Sequence, residues 1–336
     1  MKLHPVLLLI LCNLSIVTGC SRTPPNAPLQ QHGNAEPATL HLGSLSQCQH
    51  YSGLPNNWLN SSHAGMVWIP SGSFQLGSNQ AYPDELNFGK QNRQVNGFWM
   101  DQTEVTVAQF ASFITATGYI TDAEKQHQAA VFSPDPSHPQ QWWQIKSGYT
   151  WKTPNGQEGK VPAPSEPVRY VTKNDAEHYA VWLGHDLPTE QEWEYAAKAG
   201  SKADTPLHQA PQDAHHHPQA NYWQGEFPFK NSGEDHFESV APVGCYTANA
   251  FHLFDMIGNV WEWTSSVYQG AHDQHMGNYT ELRQHDMAGT QYVIKGGSFL
   301  CATNFCARYR NSSRYPQEFD LAATHVGFRT ILRASS

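Results

Sequence analysis

The sequence predicts an α+β fold, built as a single loop-rich domain with little regular secondary structure. Caps and apolar spacing indicate three helices, whereas the strand-like runs are short and separated by Gly, Asn and Pro. The 336 residues include 11 Trp, 14 Tyr and 15 Phe, so we expect aromatic side chains to provide burial where regular structure is sparse. With 39% hydrophobic residues, the composition excludes a wholly disordered chain.

The N-terminus has the pattern of an export signal over residues 1–19. Its apolar stretch, residues 6–12, is shorter than the about 20 residues that span a bilayer. Residues 17–20 (Val-Thr-Gly-Cys) resemble the bacterial lipobox, which predicts cleavage before Cys20 and lipidation of its thiol. An ordinary signal peptide with an incidental cysteine is the alternative. Because Ser21 rather than Asp follows Cys20, the outer membrane is favoured over the inner one, with the domain facing the periplasm.

Two further segments follow the signal. Residues 20–62 are polar and rich in Pro, Gln and Asn, which predicts a flexible tether. Residues 63–336 contain no second linker and are expected to form the domain. A formal charge of -9 argues against a nucleic-acid partner, which would need clustered basic residues. We expect a monomer that contacts the membrane only through its lipid anchor.

The three predicted helices have recognisable ends. The third is the clearest, because Thr189 and Glu192 can form a capping box. The predicted start and stop residues are, in chain order, Thr106 and Gly118, Asn174 or Asp175 and Gly184, and Thr189 and Gly200. Short strands are predicted at residues 66–69, 73–76, 292–294 and 327–331.

Two cysteines stand five positions apart in the Gly-rich segment 296–310, where Cys301 and Cys306 can converge on one soft metal ion. A structural zinc site would need two further ligands, and one candidate, residues 215–217 (three His), lacks the usual spacing. A plain local disulfide is a second possibility in an exported protein. A functional thiol pair is the third, and the favoured one.

This segment closely resembles the active-site region of formylglycine-generating enzymes, the sulfatase-modifying factors, in which Gly-Gly-Ser precedes a Cys and a second Cys follows five residues later. Further signatures of that family are matched at residues 66–72, 100–106, 187–195, 258–263 and 326–329. The resemblance covers residues 66–332 and implies the formylglycine-generating-enzyme fold of the C-type-lectin-like superfamily. Because the whole superfamily shares these signatures, they indicate fold more than function, and the Cys pair is the narrower mark.

The resemblance implies an oxygen-dependent oxidoreductase that converts a Cys in a Cys-x-Pro-x-Arg motif of an unfolded sulfatase polypeptide to Cα-formylglycine. In that scheme Cys301 and Cys306 hold Cu(I) as thiolates, and the substrate thiolate joins them. Oxygen then binds beside Ser298 and Trp261. A core aromatic residue is the alternative for Trp261, and a loop hydroxyl is the alternative for Ser298.

Three residues depart from the family pattern near the implied pocket. Phe305 replaces a frequent Tyr, Ala302 replaces a polar residue, and His325 stands where Asn is usual. These changes are expected to affect peptide preference or rate and not the copper ligands. An oxidising periplasm also favours a Cys301–Cys306 disulfide, so turnover would need a reductant.

Two loops rich in carbonyl and carboxylate oxygens suit Ca²⁺, although a solvated turn is the alternative for the first. The resemblance implies two calcium sites. The first would use the side chains of Asn221 and Asp235 with the carbonyls of Tyr222 and Phe237; the second would use the side chains of Asp255 and Glu262 with the carbonyls of Gly258 and Val260. Asp255 stands where the family has Asn, which keeps an oxygen ligand and adds a charge.

The remaining cysteines, Cys48 and Cys245, are a possible disulfide between the tether and the domain. A non-catalytic, surface-displayed binding module on the same fold is the alternative function. An iron-dependent sulfoxide synthase of the same superfamily is disfavoured, because the residues before Met66 are too few and too polar to supply the extra His-rich domain of those enzymes.

Overall fold

A computed structural model describes residues 41–85, 91–138, 141–202, 205–269 and 290–334. The predicted export signal, Cys20 and residues 21–40 lie outside the described residues. Within the described ranges, no helix combines the length and apolar character needed to cross a membrane.

The helices of the described ranges are short and well capped. They are α1 (Leu45–Gln49), α2 (Val107–Thr117), α3 (Asp122–Gln126), α4 (Lys173–Leu183) and α5 (Glu190–Lys198). Thr106 and Thr189 cap α2 and α5 through capping boxes, which confirms both predicted starts. The start predicted for α4 at Asn174 or Asp175 is wrong. Thr172 is its cap, and Asp175 occupies the third helical position, where its carboxylate closes the box.

The strands are also short. They are β1 (Met66–Ile69), β2 (Gly72–Leu76), β3 (Gln91–Val95), β4 (Phe98–Asp101), β5 (Ala129–Phe132), β6 (Trp143–Lys146), β7 (Gly225–Glu226), β8 (Lys230–Asn231), β9 (Trp261–Val267), β10 (Gln291–Lys295), β11 (Arg314–Glu318), β12 (Val326–Gly327) and β13 (Ile331–Arg333). The strand predicted at 327–331 is split into β12 and β13. Residues 328–330 lie between the two, because the chain passes here from the sheet of β9, which β12 joins, to the sheet of β4, which β13 joins.

Two sheets form the framework. One has the order β1-β4-β13, and the other has the order β11-β10-β9-β12. In the second sheet β10 pairs antiparallel with β9 and β11, whereas β12 runs parallel to β9. Three two-stranded ribbons, β2-β3, β5-β6 and β7-β8, complete the described strands. Few helices and mixed small sheets agree with the predicted loop-rich α+β class.

The largest apolar core lies between the helices α2 and α4 and the sheet that contains β9. Phe110 packs against Tyr179 with ring centroids 5.9 Å apart, and Phe328 contacts both rings. The same cluster extends to Trp261 on β9 and to Cys301. Aromatic packing therefore fixes the strand and the loop that carry the predicted catalytic residues.

Part of the predicted tether is packed on the domain. Cys48 in α1 forms a disulfide with Cys245, and the Gly43 N–H donates to the Gly244 carbonyl at 2.8 Å. Thr106 Oγ also donates to the Gly53 carbonyl. The tether boundary at residue 62 is therefore misplaced, because residues 41–62 are bonded to the domain.

Candidate active site and cation sites

The thiol loop, residues 296–310, turns back so that its two cysteines meet. Gly297 has φ +79°, and a Cβ there would lie 2.7 Å from the Arg308 carbonyl oxygen, so the close approach of the two ends requires glycine. The sulfur atoms of Cys301 and Cys306 lie 3.8 Å apart. Both are free thiols, and one metal ion at a thiolate distance of about 2.3 Å could contact both sulfurs.

The two thiols differ in acidity. Burial acts to raise the pKa of Cys301, but hydrogen bonding from Cys306 and from the Ser298 N–H, together with the Arg308 charge, outweighs burial and lowers it. Burial and the neighbouring Cys301 sulfur raise the pKa of Cys306 well above its ordinary range. The arrangement therefore favours a thiolate at Cys301 that accepts a hydrogen bond from the Cys306 thiol.

Four residues predicted from the sequence line one small cavity. Trp261, Ser298, Cys301 and Cys306 surround a space of about 40 Å³, together with Tyr315. Ser298 is fully buried, and its hydroxyl oxygen accepts the Leu300 N–H at 3.3 Å. The cavity is large enough for one or two small molecules such as water or dioxygen next to the sulfur atoms.

Aromatic rings form the rim of this cavity. Phe305 stacks on Phe227 with a centroid distance of 4.4 Å and a 4° angle between planes, and Trp142 meets Phe305 edge-on at 4.8 Å. The Phe305 that departs from the family pattern therefore belongs to an apolar wall. Such a wall excludes water and offers contact area to an apolar part of a peptide.

His325 also lines the cavity and is a buried, neutral imidazole. Burial lowers its pKa to about 3, and its ring lies 4.7 Å from that of Trp143. Its Nδ1 atom has no hydrogen-bond partner among the described residues. The sequence singled out His325 only as a departure, and nothing local in the sequence indicated this burial.

Beneath the thiols lies a set of buried charges, Asp84, Glu85, Arg308 and Arg310, called the arginine cluster below. Arg308 donates twice to Asp84 at 2.9 Å and pairs with Glu85 at 2.9 Å. Arg310 pairs with the other Glu85 oxygen at 2.6 Å. The two guanidinium groups are matched by two carboxylates, and all four side chains are at least 98% buried.

The first predicted calcium site keeps its oxygen atoms together. The Asn221 amide donates to the Ser239 and Asn259 oxygens, which leaves its own Oδ1 buried without a donor among the described residues. The Asp235 carboxylate accepts the Tyr222 N–H at 3.2 Å. An unpaired buried amide oxygen beside a carboxylate is a donor set that suits Ca²⁺.

Gln224 and Phe237 make further hydrogen bonds to the oxygen atoms of this first site. The Gln224 side-chain amide donates to the Tyr222 carbonyl and, at 2.7 Å, to Asp235. The Phe237 N–H donates to the same carboxylate at 3.0 Å. Gln224, which the sequence analysis did not select, therefore contacts two of the four predicted ligands.

The second predicted calcium site is formed around a tight turn. Gly258 has φ +79°, and a Cβ there would lie 2.3 Å from the Asn221 carbonyl oxygen, so the two predicted sites are neighbours. Asp255 accepts the Gly244 N–H at 2.5 Å, next to the disulfide half-cystine Cys245. Val260 lies in the same turn and directly precedes Trp261 on β9.

Glu262 is engaged on both of its carboxylate oxygens. Arg329 donates to both at 2.7 Å, and the Trp193 indole N–H donates to one of them at 2.6 Å. Arg329 is fully buried, and its remaining N–H groups donate to backbone carbonyls. The carboxylate thus takes part in a saturated ion pair, and any cation here would share it with Arg329.

Glu104 was missed by the sequence analysis, although it lies in this second site. One of its oxygens accepts the Asn259 amide at 3.1 Å, and the other has no donor among the described residues. Burial and repulsion from Asp255 raise the pKa of Glu104 well above its ordinary range. We call Glu104, Asp255, Glu262 and Arg329 the carboxylate cluster. Glu104 lies in the polar segment 101–104, where nothing in the local sequence indicated this role.

The zinc alternative finds no support in the described ranges, where no group of three or more His, Cys, Asp or Glu side chains is arranged to hold a metal ion. The three histidines lie on an exposed turn, where His217 pairs with Asp213 at 3.2 Å. Of the predicted sites, the copper site and the second calcium site use two such side chains each and the first calcium site uses one, completed by other atoms.

Comparison with known proteins agrees with this geometry. The family described as "Sulfatase-modifying factor enzyme 1-like domain" matches residues 52–334. The chain belongs to this family. A formylglycine-generating enzyme of Mycobacterium tuberculosis is 37% identical over 292 residues, which cover 79% of this chain and 97% of the relative. The mouse formylglycine-generating enzyme is 35% identical, covering 88% of this chain and 84% of the relative.

The sulfatase-modifying-factor family also contains a relative of a different description. A bovine protein named "Inactive C-alpha-formylglycine-generating enzyme 2" is 32% identical, covering 82% of this chain and 91% of the relative. Among solved structures, PvdO from Pseudomonas aeruginosa superposes with a TM-score of 0.56 at 22% identity, covering 80% of this chain and 94% of PvdO. This likeness confirms the fold.

Proposed function

We propose that this chain is a formylglycine-generating oxidase that converts a Cys of an unfolded sulfatase, within a Cys-x-Pro-x-Arg motif, to an aldehyde. The observation that carries the proposal is the free pair Cys301 and Cys306, with sulfurs 3.8 Å apart beside a small aromatic-walled cavity. Relatives named formylglycine-generating enzymes at 35–37% identity support the same reaction.

Copper is the cofactor that this donor set suits, because two soft thiolates in a small, largely apolar cavity select Cu(I). When bound between Cys301 and Cys306, Cu(I) would supply a soft, redox-active centre able to hold a third thiolate and to react with dioxygen. Cys301 would hold the ion as the more acidic thiol, and the Arg308 charge would offset the negative charge of the thiolates.

The remaining residues of the pocket position the reactants. The cavity beside Ser298 and Trp261 has room for dioxygen, and the Phe305–Phe227 wall keeps bulk water away. In balanced form, the substrate CH₂–SH, O₂, two electrons and two protons give CHO, H₂S and H₂O. A thiol reductant supplies these electrons and protons, so the C–S bond and one C–H bond of the substrate break and a C=O bond forms.

Calcium at two sites is part of the same proposal. The unpaired Oδ1 of Asn221 supports the first site, formed with Asp235, and the unpaired Glu104 oxygen beside Asp255 supports a cation at the second. The second site directly precedes Trp261 in the chain. We expect calcium to stiffen the loops that hold this wall of the cavity.

We also propose that the protein is an exported lipoprotein attached through Cys20, facing the periplasm, and monomeric. A disulfide between Cys48 and Cys245 is compatible with an oxidising compartment. Labelling with a radioactive or clickable fatty acid would test the anchor. A Cys20→Ala variant that still incorporates the label would contradict it.

Peptide oxidation tests the proposed reaction. Copper-loaded protein, oxygen and a thiol reductant should decrease the mass of a Cys-x-Pro-x-Arg peptide by the difference between a thiol and an aldehyde. Cys301→Ser and Cys306→Ser should each abolish this change, because neither retains two soft ligands. The double variant Cys48→Ser/Cys245→Ser, which removes the cysteine pair outside the cavity, is the matched control and should keep the reaction. If the folded, copper-loaded wild type leaves the peptide unmodified in the presence of oxygen and reductant, the proposal is refuted.

A second candidate is a non-catalytic binding module, favoured by the relative named inactive at 32% identity. It predicts that Cys301→Ser leaves peptide affinity and any biological effect of the protein unchanged. Peptide binding by fluorescence anisotropy, measured alongside the oxidation assay, separates the two functions.

A further inference from the structure

The sheet β1-β4-β13 packs one face on the core and carries aromatic side chains on the other. Trp68 on β1 pairs with Trp99 on β4, which in turn pairs with Leu332 on β13. Residues directly opposite each other in neighbouring strands point to the same face, so these three side chains stand side by side. We call them the tryptophan face. An antiparallel sheet with one solvated face ordinarily carries polar residues there.

The exposed ring of this face is held in place by its neighbours. Trp68 is 41% exposed, although the ring centroids of Trp68 and Trp99 lie only 5.6 Å apart. A Cβ at Gly97 would lie 2.3 Å from the Trp68 indole, so the ring fits there only because that residue is glycine. The His63 ring packs on Trp99 at 4.4 Å. The fold therefore fixes a large apolar ring at the surface, which is typical of a binding surface.

The charged residues beside the tryptophan face are already paired within the chain. Arg333 follows Leu332, and its guanidinium donates to two carboxylates at 2.6 and 2.8 Å. Asp101, at the end of β4, is buried and accepts from Thr330. With a formal charge of -9, the chain as a whole is repelled by anionic surfaces. An indole with an apolar body and a polar N–H suits an uncharged boundary between apolar and polar media, such as the interface of a zwitterionic bilayer.

The described part of the chain enters the domain beside this sheet. A Cβ at Gly43 would contact the Phe254 ring at 3.7 Å, and the Phe254 N–H donates to the Gln102 carbonyl at 2.8 Å. Gln102 directly follows β4, the strand that carries Trp99. The first described residues therefore lie close to one end of the strand at the centre of the tryptophan face.

The length of chain before this point limits how far the domain can be from a lipid at Cys20. Residues 21–40 separate the predicted anchor from the first described residue. About 20 residues span at most about 70 Å when fully extended. A domain attached in this way stays at the bilayer surface, where an exposed indole near the point of attachment meets lipid at high effective concentration.

We propose that the tryptophan face binds the interface of the bilayer that carries the lipid anchor, so that the domain lies on the membrane in a fixed orientation. The proposal rests on the proposed lipidation of Cys20 and adds a second membrane contact to it. It replaces the expectation that the anchor is the sole contact with the membrane. The apolar side chains enter the headgroup region, and the indole N–H groups remain among polar groups.

Fluorescence quenching by brominated lipids tests the proposal on the full, lipidated chain. The protein is incorporated into vesicles of phosphatidylcholine and phosphatidylethanolamine, with and without acyl chains brominated close to the headgroup. Bromine quenches an indole that it contacts. Trp68→Phe retains an aromatic ring but removes this indole, so we expect the quenching to fall about twofold or more. Trp182→Phe, which removes a half-buried indole on α4, is the matched control and should keep the wild-type quenching.

Three outcomes would overturn the proposal in distinguishable ways. Equal quenching in Trp68→Phe and wild type, with both proteins floating with the vesicles, would leave the anchor in place and exclude the tryptophan face. Failure of the wild type to float would overturn the anchor and this proposal together. A detergent-solubilised wild type that sediments as a dimer, with Trp68→Ser as a monomer and no quenching by bromine, would show that the face joins two copies. Peptide oxidation should be unchanged in Trp68→Phe, because Trp68 does not line the cavity.

Discussion

The arginine cluster and the carboxylate cluster are both buried beside the thiol cavity, but their charges are balanced differently. In the first, Arg308 and Arg310 are matched by Asp84 and Glu85 through contacts of 2.6 to 2.9 Å. In the second, one guanidinium faces three carboxylates. A buried ion pair that is fully matched needs nothing from outside the chain, whereas an unmatched one depends on protons or metal.

This difference separates two tasks. The arginine cluster places a fixed positive charge near Cys301 and lowers the pKa of that thiol. The carboxylate cluster lies next to Trp261, and under the proposed function its stability would depend on calcium. The thiol chemistry should therefore be insensitive to calcium at the level of the sulfur atoms, and the shape of the cavity should depend on it.

The largest effect is expected from Arg329→Met. The substitution leaves Glu262 without its guanidinium and all three carboxylates without a positive neighbour, so we expect a loss of about 5 kcal/mol in the free energy of unfolding. Calcium should restore part of this loss. Urea unfolding with calcium and with chelator measures both quantities, and an equal loss in the two conditions would contradict a cation in this cluster.

The matching change in the arginine cluster is Arg308→Met. Arg310 remains to pair with Glu85, so we expect a smaller loss of about 3 to 4 kcal/mol, and calcium should not restore it. The Cys301 pKa should rise, because the Arg308 charge and its backbone contribute to lowering it. The pH profile of Cys301 alkylation by iodoacetamide measures this shift. Rescue by calcium would show that the two clusters are not independent.

A pH dependence should distinguish the clusters further. Burial raises the pKa of Asp255 from 3.8 to about 6, although the hydrogen bond from the Gly244 N–H acts to lower this pKa. The folded state therefore binds the Asp255 proton more tightly than the unfolded state does. This contribution to stability is complete below pH 3.8 and is lost as pH rises through about 6. In chelator, unfolding free energy should therefore fall by up to about 3 kcal/mol between pH 4 and 6.5.

Calcium should flatten this dependence, because the cation stabilises the ionised carboxylate. Glu104→Gln should also flatten it, since it removes a carboxyl group whose own pKa is raised well above the ordinary range. A fall of the same size in calcium and in chelator would indicate that other groups dominate in this range.

The local signals in the sequence predicted the framework well. Thr106 and Thr189 were identified as caps because a capping box involves residues only three positions apart. The α4 start was wrong because Asn174 and Asp175 are themselves good caps, and Thr172 was not considered. The strand predicted at 327–331 was wrong because the chain changes sheets there, from pairing with β9 to pairing with β4, and both partners are distant in sequence.

The site was predictable where it lies in one loop. Cys301, Cys306 and Ser298 are close in sequence, and the two cysteines meet across a turn closed by backbone hydrogen bonds between Ala302 and Phe305. The charged clusters were not predictable, because Arg308 and Asp84 lie 224 positions apart. Nothing local to either residue indicates that the two meet.

The smallest expected effect comes from removing one neutral hydrogen-bonding group at each of the two clusters. Trp193→Phe removes the indole N–H that donates to Glu262 at 2.6 Å, and Tyr82→Phe removes the hydroxyl that accepts the Ala307 N–H at 2.9 Å. A hydrogen bond to a charged group stabilises a protein more than one between neutral groups. We therefore expect the free energy of unfolding to fall by about 2 kcal/mol in Trp193→Phe and by about 1 kcal/mol in Tyr82→Phe. Because the carboxylate cluster has more carboxylates than guanidinium groups, the Trp193→Phe loss should shrink when calcium is bound, whereas the Tyr82→Phe loss should not. Urea unfolding of both variants in calcium and chelator measures this difference, and a calcium-independent Trp193→Phe loss would limit the unmatched charge to Glu104 and Asp255.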